Sequence, residues 1–363
     1  MIELPFDYNA AVVTECWTFY RLAIIQTTPF GREWLASHLR VFMQRRFRVY
    51  FGENFQIYYH QYYHDILRYE GIDIRTLPPE SLVDLLKRHV RQGRYTLVEC
   101  DFDQLNGQPS GKPVFHEILV YGFDDERQVF FTPVLGASRR FSRWEVPYAC
   151  LIESYRSMRK YMTAHPAEQY HLMNHYHYMV TRISIDPHYR PDDTPIMAIA
   201  KMREEALGCQ FTETDFGREV VYSTGIGCLK GMKESGLMTA EDGVDEAWIV
   251  NSVKKLHEHR RIILSTMHYL QKMLQLDEAM EIGQYEQSCR LLEIGCNFAM
   301  KHQATGETEN LRKLAAYLDR AYEIERQILW PFIQLCTDRY IAYLVGASPS
   351  NDDMKRPVSP MDK

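Results

Sequence analysis

Hydrophobic residues in the first half of the chain follow a helical spacing before they change to an alternating one. Apolar residues three or four positions apart predict helices over residues 14–26, 38–50, 58–71 and 77–94. Thr14 is placed to cap the first helix, and Gly93 is placed to end the last. Alternating apolar and polar residues, which are typical of strands, follow at residues 95–102, 114–121, 128–134 and 176–185. Helices that precede a sheet predict an α+β fold.

A stretch rich in proline and aspartate, residues 186–195, separates this region from a second half with a different pattern. Beyond it, apolar positions return to a period of 3.6, for example at Trp248, Val253, Leu256 and Ile263. The predicted helices cover residues 195–207, 217–235, 245–277, 283–303 and 308–345. We therefore expect an α+β domain over residues 1–190, a bundle of antiparallel α-helices over 191–346, and a polar, disordered tail over 347–363.

The composition narrows the class of protein. The chain carries 42 Lys and Arg against 48 Asp and Glu, which argues against a general nucleic-acid-binding surface. No run of about 18 apolar residues predicts a membrane span, and the N-terminal residues lack the pattern of a signal peptide. The 8 cysteines are scattered, without a close pair, which is typical of reduced thiols. We expect a cytoplasmic protein without nucleic-acid or membrane partners.

One histidine lies on the apolar face of a predicted strand. His116 shares this face with Val114, Ile118 and Val120, where an imidazole is either a buried structural residue or a catalytic base. Catalysis would need a nucleophile, and Cys16 is the best candidate because it lies in the first turn of a predicted helix. Main-chain N–H groups and the helix dipole would stabilise its thiolate there. The competing interpretation of Cys16 is a small buried hydrophobic residue.

A Cys–His pair also needs a group that orients the imidazole. A simple hairpin register places Thr132 opposite His116, although a hydroxyl orients an imidazole less well than a carboxylate does. Asp124 and Asp125 lie too far along the strand to reach the histidine, and we expect them to shape the turn. Glu117 is predicted to point to the opposite face of the strand.

The order of these groups resembles the papain-like fold, with a cysteine on a helix, a histidine on a strand and a third group on the next strand. In that fold Asn9 would occupy the position of an oxyanion-hole amide. Three stretches are similar, more specifically, to the butirosin biosynthesis protein H-like family: "HEILVYGFDDERQVFF" at 116–131, "FGREVVYSTGIGCL" at 216–229 and "LHEHRRIILSTMHYL" at 256–270. The resemblance implies a papain-like N-terminal domain, with helices packed on an antiparallel sheet, followed by an α-helical bundle.

Members of this family commonly occur beside nonribosomal peptide and other natural-product assembly genes. The resemblance implies acyl transfer from the phosphopantetheine thioester of an acyl or peptidyl carrier protein to an amine of a small molecule or peptide. Cys16 would be the nucleophile and His116 the base, and no cofactor is implied. The helical half is the expected partner-binding surface, or the surface through which a homodimer forms.

Two positions depart from the family pattern and keep other functions open. Cys16 lies outside an Asn-Cys-like stretch, and Thr132 with Pro133 stands where an aspartate is usual. A second interpretation is therefore a catalytically inactive papain-like protein that binds a carrier protein or a peptide. A cysteine peptidase is a third interpretation.

A cluster of histidines raises the question of a metal site. If their segment is a strand, His171, His175 and His177 share one face, and imidazoles are ligands for zinc, copper and iron. No carboxylate or cysteine of suitable spacing accompanies them. Alternating His and Tyr residues are also typical of a half-exposed strand, so we expect no metal.

Overall fold

Helices and antiparallel strands alternate along the first part of the chain in the computed structural model. The structure describes residues 1–44, 48–52, 63, 65–73, 76–107, 113–136, 140–165, 180–191, 194–215, 218–242, 246–277 and 280–346. The elements up to residue 191 are, in chain order, β1 (Ile2–Glu3), α1 (Cys16–Ile25), α2 (Gly31–Ser37), β2 (Arg40–Gln44), β3 (Arg48–Gly52), β4 (Leu67–Ile72), α3 (Leu82–Arg91), β5 (Tyr95–Asp101), α4 (Phe102–Leu105), β6 (Phe115–Val120), β7 (Gly122–Asp124), β8 (Val129–Leu135), β9 (Phe141–Pro147), α5 (Tyr148–Ala164) and β10 (Val180–Ile185).

Long helices dominate the remainder of the chain. The elements after residue 191 are α6 (Thr194–Leu207), β11 (Gln210–Asp215), β12 (Arg218–Thr224), α7 (Gly227–Asp242), α8 (Glu246–Met273), α9 (Met280–Thr305) and α10 (Thr308–Leu344). The expected mixture of helices with antiparallel strands, followed by a helical C-terminal region, is therefore confirmed. The predicted tail over residues 347–363 lies outside the described residues.

The chain forms two compact units, each built from two separate segments. The first contains Met1–Thr28 and Tyr58–Tyr189, and the second contains Pro29–Ile57 and Arg190–Lys363. The sequence analysis placed residues 29–57 in the first domain, whereas in the structure they belong to the second unit. The physical reason is strand pairing, because β2 pairs with β12 at Gln44 and Tyr222 and a sheet joins segments that are distant in sequence.

Three predicted helices are wrong in whole or in part. Residues 40–44 and 48–52 form the paired strands β2 and β3, residues 67–72 form β4, and residues 218–224 form β12. In β2 the consecutive residues Val41, Phe42 and Met43 are all buried, so this strand does not show the alternation that identifies a half-exposed strand. Apolar periodicity cannot distinguish a strand covered on both faces from a helix.

Two four-stranded antiparallel sheets build the first unit. Their strand orders are β4-β10-β5-β6 and β1-β7-β8-β9. Only Tyr121 separates β6 from β7, so the chain passes directly from one sheet into the other. On one face of the first sheet, Val98, Ile118 and Val120 pack in a buried core with apolar residues of α3 and α5. This packing fixes the strand that carries His116.

The second unit combines a four-stranded sheet with long helices. Its sheet has the order β11-β12-β2-β3. Of the residues predicted to form the apolar face of α8, Val253, Leu256 and Ile263 are buried, whereas Trp248 is exposed. No helix within the described ranges combines the length and apolar character that a bilayer crossing requires.

A buried ion pair joins α8 to α10 in the second unit. Arg260 donates hydrogen bonds to the Glu325 carboxylate over 3.2 and 3.3 Å and to the Gly225 carbonyl over 2.9 Å. The Ser288 hydroxyl donates to the same carboxylate over 2.7 Å. Burial of both charges is tolerated because each has its counter-charge and further hydrogen bonds.

Gly225 is required where β12 turns into α7. Its φ of +51° lies in the left-handed region, and a Cβ there would overlap the main chain of Glu205. We expect Gly225→Ala to lower the free energy of unfolding by at least about 2 kcal/mol, because it adds this overlap to an unfavourable backbone conformation. The measurement is urea unfolding followed by circular dichroism.

The matched control for this variant is Gly283→Ala in α9. A Cβ at Gly283 meets open space, so alanine should raise the free energy of unfolding by about 0.5–1 kcal/mol through its helix propensity. Equal unfolding midpoints for the two variants would contradict the role assigned to Gly225.

Candidate active site

Cys16 is the first residue of α1. Glu15 before it has an extended backbone, with φ −141° and ψ 140°, so the cap position is Glu15 rather than the predicted Thr14. The Thr18 hydroxyl donates a hydrogen bond to the Glu15 carboxylate, and the Phe19 N–H donates to the Glu15 carbonyl over 3.1 Å. These contacts hold the start of the helix in place. Cys16 itself remains partly exposed, as a nucleophile must.

His116 lies next to Cys16 although 100 positions separate the two residues in sequence. The distance from Cys16 Sγ to His116 Nε2 is 3.7 Å, which is within hydrogen-bond reach for the larger sulfur atom. In the sheet, His116 of β6 pairs with Cys100 of β5, and the Cys100 thiol donates to the His116 carbonyl over 3.3 Å. The fold therefore brings together the two residues proposed as nucleophile and base.

The other ring nitrogen of His116 is held by the main chain. His116 Nδ1 lies 2.6 Å from the carbonyl oxygen of Glu117. A carbonyl only accepts hydrogen bonds, so Nδ1 carries the proton, and in a neutral imidazole Nε2 is then the basic nitrogen. That nitrogen faces Cys16 and is placed to take the thiol proton. The Phe102 ring, with its centroid 5.0 Å from that of the imidazole, packs beside it.

The predicted position of Thr132 is wrong. The hairpin pairs Gly122 with Phe131, and Thr132 pairs with Trp144 of β9 rather than with His116. Thr132 is fully buried, and its hydroxyl has no hydrogen-bond partner among the described residues. The register differs because the break at Tyr121 divides the predicted strand, so that β6 pairs with β5 and only β7 pairs with β8.

Asn9 lies on the surface, in the segment that precedes α1. Its main-chain N–H donates to the Asp7 carboxylate over 2.8 Å, and its side chain is exposed. None of the contacts among the described residues joins the Asn9 amide to Cys16. The oxyanion-hole position expected for Asn9 therefore stays a prediction.

Cys16 and His116 are both neutral in the resting protein. Burial raises the pKa of the Cys16 thiol, and the negative charges of Glu117 and Glu15 raise it further. Burial lowers the pKa of the His116 imidazole. The thiolate expected at a helix N-terminus is thus disfavoured, because desolvation and two nearby carboxylates outweigh the helix N–H groups.

Three buried charged residues that the sequence analysis did not select lie beside this pair. Arg21 Nη1 is 3.7 Å from Glu117 Oε1, and Glu99 of β5 pairs directly with Glu117 of β6. All three side chains are at least nine-tenths buried. A signal was present in the sequence, because Glu99 and Glu117 interrupt apolar strands at positions where a carboxylate is unusual.

Of the two aspartates expected to shape the hairpin turn, Asp124 bonds to the main chain of the turn, whereas Asp125 contacts α3. Asp124 Oδ1 accepts the N–H groups of Glu126 and Arg127 over 3.0 and 3.2 Å. Asp125 forms an ion pair with Lys87 at 2.5 Å. Neither aspartate contributes to the Cys16–His116 pair.

The histidines considered as metal ligands, His171, His175 and His177, lie outside the described residues. Among the residues that the structure does describe, no group of three His, Cys, Asp or Glu side chains is arranged to hold a metal ion.

Comparison of the chain with protein-family models and with curated proteins finds no match.

The protonation state of Cys16 predicts a distinctive pH profile. Its alkylation by iodoacetamide should keep accelerating above pH 9, the ordinary pKa of a thiol, because a raised pKa delays formation of the reactive thiolate. Mass spectrometry of the Cys16 peptide gives the rate at each pH. The same peptide in urea-unfolded protein is the control and should level off near the ordinary pKa. A plateau below pH 8 in the folded protein would refute the neutral resting state.

Thr132→Val tests which group orients His116. The valine keeps the shape of the side chain and removes a buried hydroxyl without a described partner, so the alkylation rate of Cys16 should not change. The free energy of unfolding should stay equal or rise by about 1 kcal/mol. His116→Ala, by contrast, should slow alkylation at pH 7 at least about tenfold because it removes the base. Equal slowing in both variants would restore the orienting role of Thr132.

Proposed function

We propose that this protein is a papain-like, cysteine-dependent acyltransferase that moves an acyl group from a carrier-protein thioester to an amine. The observation that carries the proposal is the 3.7 Å approach of Cys16 Sγ to His116 Nε2, with Nδ1 of the same ring held by a carbonyl. The similarity of three stretches to the butirosin biosynthesis protein H-like family supplies the substrate class and the setting in natural-product assembly.

The first half-reaction forms an acyl-enzyme. His116 Nε2 takes the proton of the Cys16 thiol while Sγ attacks the carbonyl carbon of the thioester. The first turn of an α-helix has N–H groups without intrahelical acceptors, and those of α1 would stabilise the oxyanion that forms. Collapse of this intermediate breaks the carbon–sulfur bond to phosphopantetheine. The leaving thiolate receives the proton from His116, and the acyl group remains on Cys16.

The second half-reaction transfers the acyl group to the acceptor. The amine attacks the thioester carbon on Cys16, and His116 Nε2 accepts the proton that the amine loses. The carbon–sulfur bond breaks, and the Cys16 thiolate regains a proton from His116. The amide that forms is more stable than a thioester, so this step is downhill, whereas the first step exchanges one thioester for another.

A neutral thiol is compatible with this chemistry. In the resting state neither group is charged, so the proton moves only when Sγ attacks an electrophile. A thioester is activated enough for such an attack, because its carbonyl is less stabilised than that of an amide. The same property favours thioesters over peptide bonds as substrates, and thus acyl transfer over peptidase activity.

The second candidate function is a papain-like protein that binds a carrier protein or peptide without chemistry. The exposed position of Asn9, away from any described contact with Cys16, favours it. The close Cys16–His116 approach argues against it, because a protein without catalytic activity does not require the thiol to face the basic ring nitrogen.

Trapping of the acyl group on Cys16 tests the proposal. Incubation with acetyl-, aminoacyl- and fatty acyl-N-acetylcysteamine thioesters should add one acyl group to the protein, which peptide mass spectrometry should locate on Cys16. Cys16→Ala should abolish the adduct, and His116→Ala should slow its formation by about a hundredfold.

Cys209→Ala is the matched control, since Cys209 is an exposed thiol outside the site and its loss should leave the adduct unchanged. Absence of any Cys16 adduct with all three thioester classes would overturn the proposal in favour of the binding role. Hydrolysis of fluorogenic peptides in a Cys16-dependent manner would support a peptidase instead.

A further inference from the structure

Arg21 and Glu117 connect the two elements that carry the reacting groups. Arg21 lies on α1, the helix that begins with Cys16, and Glu117 follows His116 directly in β6. Their side chains are 0% and 5% exposed, and Arg21 Nη1 lies 3.7 Å from Glu117 Oε1. Removal of one partner from a buried pair leaves an uncompensated charge and is strongly unfavourable. The ion pair therefore restrains the distance between α1 and β6 beside the Cys16–His116 pair.

The guanidinium is held on its own helix. Arg21 Nη1 donates a hydrogen bond to the Trp17 carbonyl over 2.8 Å, and the Arg21 guanidinium carbon lies 3.6 Å from the centre of the Trp17 ring. A cation over an aromatic face is stabilised by the ring electrons. Arg21 is thus a rigid extension of α1, rather than a flexible side chain that meets Glu117 by chance.

Glu117 contacts the site with two different groups. Its side chain faces Arg21, and its main-chain carbonyl accepts the hydrogen bond from His116 Nδ1. A shift of Glu117 would therefore move the helix contact and the imidazole contact together.

The second buried carboxyl group, Glu99, has a different environment. It lies opposite Glu117 across β5 and β6 and is also 5% exposed, but no cation in the described parts of the chain forms an ion pair with it. One guanidinium cannot neutralise two carboxylates in a buried site. Burial and the charge of Glu117 hold the pKa of Glu99 well above its usual range. Burial also raises the pKa of Glu117, but less, because Arg21 opposes the effect. Of the two buried carboxyl groups, Glu99 is therefore the protonated one.

We propose that Glu117 is a positioning residue for the Cys16–His116 pair. Its side chain anchors α1 through Arg21, its main chain orients the imidazole, and its carboxylate places a negative charge beside the Cys16 thiol. This inference deepens the proposed acyl transfer and rests on it for the reaction, whereas its test measures the thiol itself.

The charge of Glu117 acts on Cys16 together with a small set of other groups. Those that act on the thiol or contact it are Glu15 before α1, Tyr20 and Arg21 of α1, and His116 and Glu117 of β6. Glu117 is the strongest of the charged influences that disfavour the thiolate, and Arg21 acts in the opposite direction. Loss of the Glu117 charge should therefore lower the pKa of Cys16.

The test compares Glu117→Gln with Glu99→Gln. Both variants keep the size of the side chain, and the two positions are equally buried and directly opposite each other. Glu117→Gln removes a charge, so the pH profile of Cys16 alkylation by iodoacetamide should move down by roughly one pH unit, with about tenfold faster alkylation at pH 8. Glu99→Gln replaces one neutral group by another and should leave the profile unchanged.

Cys100 provides an internal control for local structure. It is fully buried and pairs with His116 in the sheet, so it should resist alkylation as long as the site stays folded. If Cys16 is alkylated faster while Cys100 stays protected, the change is due to the charge of Glu117. Exposure of both thiols would report unfolding instead, since an unfolded thiol also returns to its ordinary pKa.

If Glu117→Gln exposes Cys100, the double variant Arg21→Met/Glu117→Gln replaces it, because this variant leaves no buried charge unpaired. It should shift the Cys16 profile in the same direction by a smaller amount, since the opposing effect of Arg21 is lost as well. An unshifted profile in a folded variant would overturn the proposal. An equal shift of the Cys16 profile in Glu99→Gln would show that Glu99 carries a negative charge that acts on the thiol, and this result would also overturn the proposal.

Failure of this inference is distinguishable from failure of the proposed function. If wild-type protein forms the acyl adduct but Glu117→Gln leaves the profile unchanged, the positioning role is wrong and acyl transfer stands. If no adduct forms but the profile shifts as expected, the effect of Glu117 on the pKa of Cys16 stands and the proposed acyl transfer is wrong.

Discussion

The antiparallel register of β5 and β6 places His116 opposite Cys100 and Glu117 opposite Glu99. Everything at the candidate site depends on this register, because side chains alternate between the faces of a sheet and a slip by one residue would exchange them. The packing of Val98, Ile118 and Val120 against α3 and α5 fixes the register energetically. The position of His116 is thus determined by apolar residues that take no part in chemistry.

Burial gives the site its electrostatic character. It disfavours the charged forms of Cys16 and His116 alike, so the resting pair is neutral rather than a thiolate with an imidazolium. The contrast with the second unit is informative, because Arg260 and Glu325 there form a buried pair with matched charges. At the site, Arg21 pairs with Glu117, whereas Glu99 has no ion-pair partner among the described residues. This imbalance of charge makes the neighbourhood of Cys16 sensitive to a single substitution.

The sequence by itself predicted those parts of the fold in which a pattern has one physical interpretation. The helix that starts at Cys16, the amphipathic helix α3, the strand with His116 and the long C-terminal helices were predicted, because apolar spacing over such segments is distinctive. The role of Asp124 in the turn was also predicted, since short polar side chains next to a turn bond to the main chain nearby. His116 and Cys16 were selected by residue type and local context alone.

Only the tertiary structure decided which distant residues meet. It showed that residues 40–44 and 48–52 are paired strands of the second unit, that Thr132 pairs with Trp144, and that the Glu117 carbonyl holds the imidazole. It also brought Arg21 to the side chain of Glu117, although these residues are far apart in the chain. The physical reason is that periodicity reports which face of an element is apolar, whereas register and partner choice depend on strand pairing between segments that the local pattern does not connect.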